Sequence, residues 1–256
     1  MPRTARPPRD PLALVGLLWE PSTRVGRSGV TIGSIVTAAI ELTDAEGLSA
    51  LTMRRVADDV GVPVMTLYGH VPGKAELIEL MLDRVAGATY AGHDVPGDVG
   101  DWRAGLEHIA QRVFDHGCAH PWAHEVPPAR PVLGPGVCRT YELELAPLDG
   151  IGLELLEMDE TLTAVRSLAT SAARWQVTLD AARRDSQLTD LEWWELVGPR
   201  IAQAMRDEHL PISSKVGQAV ASAGDPQRTL AAGLRLMLDG LERRLDLGPS
   251  PLPGSA

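Results

Sequence analysis

Residues Thr52–Lys74 read TMRRVADDVGVPVMTLYGHVPGK, and the fold of the whole chain turns on how this stretch is arranged. The spacing predicts a short helix, a sharp turn and a second short helix. Apolar or small residues at Val56, Ala57, Val60, Val62 and Leu67 make its inner side. Ala57 is small enough for two helices to cross closely, and Gly61 supplies the positive φ that the turn requires. Leu67 plugs the angle between the helices. The second helix is then left showing Val64, Met65, Thr66, Tyr68, Gly69 and His70. A helix of about two turns is not kept for its own stability. Presenting that surface is the better reason, and the major groove of DNA is wide enough to receive it.

The flanks continue the pattern. Thr31 is an N-cap for a helix with Ile32, Ile35, Val36, Ala39, Ile40 and Thr43 on one face, and Gly47 stops it. Thr52 caps the next helix, and Gly61-Val62-Pro63 makes the turn. Pro72-Gly73 breaks the chain before an amphipathic helix over Lys74–Ala88, marked by Leu77, Ile78, Leu80, Met81, Leu82 and Val85. From Thr31 to about Gly87 the chain resembles the DNA-binding domain of the TetR family of transcriptional repressors. The residues that carry this are IVTAAIELTDAEGLSALTMRRVADDVGVPVMTLYGHVPGKAELIELM, with Leu67-Tyr68-x-His70-Val71-x-x-Lys74-x-x-Leu77 the most diagnostic run. His120–Gly152, with Pro121-Trp122 and Arg130-Pro131, resembles the ligand domain of the tetracycline-repressor-like branch.

The resemblance implies a homodimeric repressor, without enzymatic activity or cofactor, that binds a palindromic duplex operator and is released by a small molecule. Its fourth helix joins reading head to ligand body. The expected division is a 1–30 extension, a 31–88 helix-turn-helix domain with 74–88 as connector, and an 89–256 ligand-binding and dimerisation domain. The fold expectation is all-α.

At 256 residues, 44% apolar and 23% charged, the chain has the composition of a soluble globular protein. It has no apolar run of membrane-spanning length and no secretory signal, and its two cysteines make no disulfide framework; a cytoplasmic location and no membrane partner are expected. The net charge of −10 is unevenly spread. Residues 1–30 carry Arg3, Arg6, Arg9, Arg24 and Arg27 against Asp10 and Glu20, whereas residues 91–256 hold 15 of the 24 basic and 24 of the 34 acidic residues. Phosphate binding is local, so an acidic body does not exclude a basic reading end.

Residues 1–10, rich in proline and arginine, are expected to be disordered. Pro11–Glu20 has the apolar content of a short helix that docks through Leu14, Leu17, Leu18 and Trp19. Pro21–Gly29 reads as a flexible arm, either a plain linker or a basic arm reaching a minor groove through Arg24 and Arg27. Beyond the Gly92–Gly100 loop, helices are expected at about 101–117, 135–149, 154–184, 189–208 and 226–246, with a short one near 119–124. Prolines, among them Pro211, punctuate the breaks. No segment shows the alternation of a strand hairpin. The long helix Glu154–Arg184 (Leu155, Met158, Leu162, Val165, Leu168, Ala169, Ala172, Ala173) and the last one (Leu230, Gly233, Leu234, Met237, Leu238, Leu241) bury these residues in their own subunit or form a four-helix bundle with a partner's copies, as the resemblance implies.

For DNA, Arg54 is the candidate for bidentate contact with guanine. Thr66 and Tyr68 reach base edges or phosphate, and Val64 and Met65 pack on thymine methyls. His70 and Lys74 stand where the family contacts phosphate, Lys74 also at a helix N-terminus that favours anions. Arg55 reads as a solvated arginine. Gly69 stands where many relatives carry a larger residue. In the body, Trp102, Phe114, Trp122, Met158 and Trp175 are either core or the lining of a cavity for a flat, largely apolar effector. Tetracycline-binding members use a His late in the fourth helix, an Asn and a Phe in the fifth, and a His before the Arg-Pro turn. Those places here hold Tyr90, Ile109, Val113 and Val126, so the magnesium and hydrogen-bonding groups are gone and another ligand is implied. A rival reading is a metal-dependent sensor or helical enzyme built on His116, Cys118, His120 and His124. Against it, no second cluster completes a tetrahedron, and no HExxH, serine elbow or phosphate loop is present.

Overall fold

Caps and turn residues set the helix limits more sharply than hydrophobic spacing does. The structure is a computed structural model that describes residues 11–20, 24–25, 29–126, 130–206, 208–220 and 224–246. Among these the first helices are α1 (Pro11–Trp19), α2 (Ile32–Glu46), α3 (Met53–Asp59), α4 (Val64–Tyr68) and α5 (Lys74–Gly87). They are followed by α6 (Trp102–Ala119), α7 (Pro135–Leu145), α8 (Leu155–Ser186), α9 (Asp190–Ala204), α10 (Pro211–Val220) and α11 (Pro226–Asp246). Short 3₁₀ turns at Leu48–Ala50, Pro96–Asp98, Pro121–Glu125 and Ala146–Leu148 join some of them. The all-α expectation holds.

Four details differ from the sequence expectation. Arg24–Val25 (β1) pairs antiparallel with Val30–Thr31 (β2), Arg24 opposite Thr31, so the arm is tied back beside the start of α2. A two-residue ladder is too short to show an alternation. Second, α10 was not expected: Pro211 opens a helix instead of breaking the chain, since the first turn needs no N–H there. Third, α7 gives way to a 3₁₀ turn after Leu145, and α9 ends at Ala204, not near 208. Fourth, Trp19 does not dock as core; it is 52% exposed and its Nε1 donates to the Leu133 carbonyl at 3.0 Å, while Leu18 is the buried residue of α1. Residues 1–10 and Arg27 lie outside the described residues.

The chain divides into two compact units. The first runs through His108 and includes Ala119–Asp149; the second holds Ile109–Cys118 and the chain from Gly150. The core of the first unit is built from Leu18, Ile35, Val36, Ala39, Val56, Leu67, Leu77 and Met81, and it includes Trp122 and Val132. Helix α2 is well fastened at its start: Thr31 Oγ1 accepts from the Ser34 N–H at 3.1 Å, and Ser34 Oγ accepts from the Thr31 N–H at 3.0 Å.

Helix α5 crosses α7 in the same unit with little between them. The buried Asp83 carboxylate accepts the N–H groups of Gly136 (3.1 Å) and Val137 (2.9 Å), capping α7 from a neighbouring helix. Thr140 Oγ1 donates to the Ala86 carbonyl at 2.9 Å, and the Tyr90 hydroxyl donates to the fully buried Glu144 at 2.9 Å. A Cβ on Gly136 would sit 2.0 Å from the Asp83 carbonyl oxygen, and one on Gly87 would sit 2.9 Å from the Gly136 Cα. Glycine is there because the backbones touch.

In the second unit α8 packs along α11. Leu162, Val165, Ala169 and Ala173 are buried with Leu230, Leu234 and Leu238, and Gly233 leaves room for Leu168. Arg244 pairs with Glu157 at 2.6 Å, and Arg183 bridges Asp180 and Asp190 across the link from α8 to α9. Neither α9 nor α10 has a buried residue. No helix of the described residues is long and apolar enough to cross a membrane.

Candidate nucleic-acid interface

The reading surface is assembled by three local devices. Thr52 Oγ1 accepts from the Arg55 N–H at 3.2 Å and starts α3. Gly61 turns the chain at φ +72°, a left-handed value that favours glycine, and the Val62 N–H then reaches the Ala57 carbonyl at 3.0 Å. Leu67 is fully buried beside Val56 and Ala57. With that side chain inward, α4 turns Met65 (75% exposed) and Tyr68 (44% exposed) outward. Val64, Thr66 and His70 are half-buried.

The cations of the motif divide into committed and uncommitted groups. Arg55 makes a two-pronged contact with Glu46, both prongs at 2.7 Å. The hydrogen bonds hold Glu46 below the usual carboxylate range and raise Arg55 above its ordinary value. Arg54 has a side chain 85% exposed and approaches Asp58 only at 4.0 Å. Lys74, the first residue of α5, donates from Nζ to the Leu48 carbonyl at 3.1 Å, one of three donors it carries. The backbone of Arg24 lies in β1, opposite Thr31.

The side chains expected to line an effector site are spread over both units. Tyr90, Trp102 and Trp122 belong to the first; Ile109, Phe114, Met158 and Trp175 belong to the second. Tyr90 is buried and tied to Glu144, with the His108 ring 5.9 Å away. Trp102 is half-buried, with the Arg103 guanidinium 5.8 Å from its ring centre. Trp122 is 1% exposed in the core cluster, and its Nε1 donates to Asp44 at 2.7 Å. Ile109, Phe114 and Met158 are buried, while Trp175 is half-exposed and lies over Gly224, which a Cβ would drive into its ring.

The members of the His/Cys cluster have other partners. His120 places Nδ1 2.9 and 3.0 Å from the two oxygens of Asp44 in the first unit. Cys118, in the second, donates to the Ala173 carbonyl at 4.0 Å, and burial pushes its thiol up, helped by Asp115 and Asp180. Among the described residues no group of three His, Cys, Asp or Glu side chains is placed to hold a metal ion. Asp44, Asp83 and Glu144 are polar anchors that the sequence reading missed. The signal available was weak: each is an acidic residue inside a helix, which ordinarily faces water.

Comparison with known proteins agrees with this geometry. Residues 35–81 match the model of bacterial regulatory proteins of the tetR family, and residues 96–245 match the tetracyclin repressor-like C-terminal domain. The transcriptional repressor DrrR1 of Streptomyces coeruleorubidus is 35% identical over 231 residues, covering 88% of this chain and 83% of that protein. A transcriptional regulator of Saccharopolyspora erythraea is 25% identical over 237 residues, covering 88% of this chain and 91% of its own. The fold is shared with ActR from Streptomyces coelicolor, solved in complex with actinorhodin, at TM-score 0.66 and 22% identity over 84% of this chain and 97% of that one. A helix-turn-helix with its outer face bare, a matched helical body and regulators as relatives leave one conclusion: the chain belongs to the TetR family of transcriptional regulators and is not an enzyme.

Proposed function

We propose that this chain is a cytoplasmic repressor that binds a palindromic duplex operator as a homodimer and leaves it when a small, largely apolar molecule binds its body. The observation that carries the DNA reading is the orientation of α4: Leu67 is buried, and Met65, Tyr68 and the nearby Arg54 face outward. In this reading Arg54 takes a base edge, Thr66 and Tyr68 reach bases or phosphate, and His70, Lys74 and the arm residues Arg24 and Arg27 meet phosphate or groove. A dimer supplies two heads about 34–36 Å apart, one for each successive major groove. Leu155 and Leu156 on α8 and Leu236 on α11 are exposed, as are Thr163, Ala164 and Ser167 on α8, and in this reading they are available to a partner's copies.

The ligand reading draws on ActR, which was solved with actinorhodin, and on the apolar residues Ile109 and Val126 at places where tetracycline binders carry an Asn and a His. Within the second unit, Phe114, Met158 and Trp175 are the apolar and aromatic side chains of this reading. Tyr90 and Trp122 are buried and hold their polar atoms on Glu144 and Asp44.

Comparing Arg54→Ala with Lys74→Ala tests the assignment. Loss of Arg54 should relax sequence preference, removing about 1–3 kcal/mol of discrimination, while loss of Lys74 should weaken all sequences alike and lower the salt slope by about 1. Equal losses on every duplex with one salt slope would reject the role given to Arg54. For release, coupling must be reciprocal. Actinorhodin titrated against free and operator-bound protein should bind the free form more tightly; equal affinity would reject release by this compound.

A further inference from the structure

We infer that the operator is read chiefly through thymine methyl groups, with one guanine per half-site taken by Arg54; this rests on the DNA-binding reading above. Helix α4, Val64–Tyr68, contains no Arg, Lys, Asn, Gln, Asp or Glu. It therefore has none of the side chains that grip a purine edge with two hydrogen bonds and no carboxylate for a cytosine amine, and only the single hydroxyls of Thr66 and Tyr68 can bond a base edge. The first residues of a recognition helix are those that meet base edges. Here they are Val64, Met65 and Thr66, and each of these side chains ends in a methyl group. Met65, 75% exposed, projects farthest. The apolar feature of the major groove is the C5-methyl of thymine, so this is the base such a surface selects.

The other cations of the motif do not supply a second base reader. Arg55 is held by both oxygens of Glu46, and Lys74 is anchored on the Leu48 carbonyl at the edge of the motif. Of the motif's two arginines, Arg54 has the more exposed side chain and only a long ion pair, 4.0 Å from Asp58. Residues 31–74 set Arg54, Arg55 and Lys74 against Glu41, Asp44, Glu46, Asp58 and Asp59, so the head has no surplus of positive charge to recruit DNA indiscriminately. Apolar contacts must then carry much of the discrimination.

The test selects duplexes from a randomised library with the full-length protein, then replaces each thymine of the selected site by deoxyuridine, which removes only the methyl. Half-sites with one dominant guanine beside thymines, and about fourfold weaker binding for each contacted methyl removed, are expected. Met65→Ala should abolish the deoxyuridine effect at one position while leaving the guanine requirement. Arg54→Ala should relax that guanine by about 5- to 160-fold and leave the deoxyuridine effect intact. Half-sites dominated by two or more guanines, or affinity unchanged by deoxyuridine at every position, would overturn the inference with DNA binding still standing. Failure to enrich any duplex would overturn both. The substitution in the DNA needs no protein variant, so a poorly folding mutant does not blunt the result.

Discussion

Where α4 meets α3, the contact is apolar: Leu67 is fully buried beside Val56, Ala57 and Val62, and one backbone hydrogen bond across the turn aligns the pair. Where α7 meets α5, the contact is fastened by hydrogen bonds, and the backbones come close at two glycines. Asp83 caps two amides, Thr140 reaches the Ala86 carbonyl, Tyr90 reaches Glu144, and Gly87 and Gly136 let the backbones touch. The two crossings teach different lessons about specification. Apolar burial is non-directional and sets how much is buried. Directed hydrogen bonds at a close crossing set the register, because a slip of one residue leaves buried donors unpaired.

The comparison ranks the expected effects of substitution. Leu67→Ala opens a cavity in the head and should destabilise it by about 2–5 kcal/mol in chemical denaturation, taking operator binding with it. Asp83→Ala should cost about 1–3 kcal/mol by taking the charged acceptor from two half-buried amides, and should speed hydrogen exchange at Gly136 and Val137 selectively. A larger loss for Asp83→Ala than for Leu67→Ala would reverse the ranking of the two crossings. Tyr90→Phe keeps the ring and removes one hydrogen bond, so about 0.5–1.5 kcal/mol is expected, and a neutral result would show that Glu144 is held by its other contacts. The smallest effect belongs to the exposed pair of Arg55 and Glu46. The pKa of Glu46 is lower folded than unfolded, so its contribution is complete above the ordinary value of 4.5 and fades as pH falls through the lowered one. The melting-temperature gap between wild type and Glu46→Gln should therefore shrink on acidification, and a gap that widened would assign the effect elsewhere.

The head was legible in the sequence because its determinants are local. Thr31, Thr52 and Gly61 each act within a few residues of their partners, and Leu67 acts within the same short motif. The anchors of the close crossing were not legible. Asp83 reaches amides 53 and 54 residues away, Tyr90 reaches Glu144 at a separation of 54, and Trp122 reaches Asp44 at 78. Within its own helix Asp83 reads as a solvated acid. Trp122 gave the sequence reading a choice between core and cavity, and only its position among the head's buried residues shows how completely it is enclosed. Helix α10 was a different kind of miss. Ile212, Val216 and Val220 carry a four-residue spacing, yet Pro211 was given the weight of a break.

The touching glycines of α5 and α7 also have a mechanical consequence. Most helix pairs are separated by a layer of close-packed side chains, through which strain passes from one helix to the other. At Gly87 and Gly136 no such layer exists, and Asp83 bolts the end of α7 directly to the shaft of α5. Sliding α5 past α7 would break the Asp83 hydrogen bonds, so the two helices are expected to move together, and α7 gives a place to measure the motion of α5 without touching the helix that leads from the reading head.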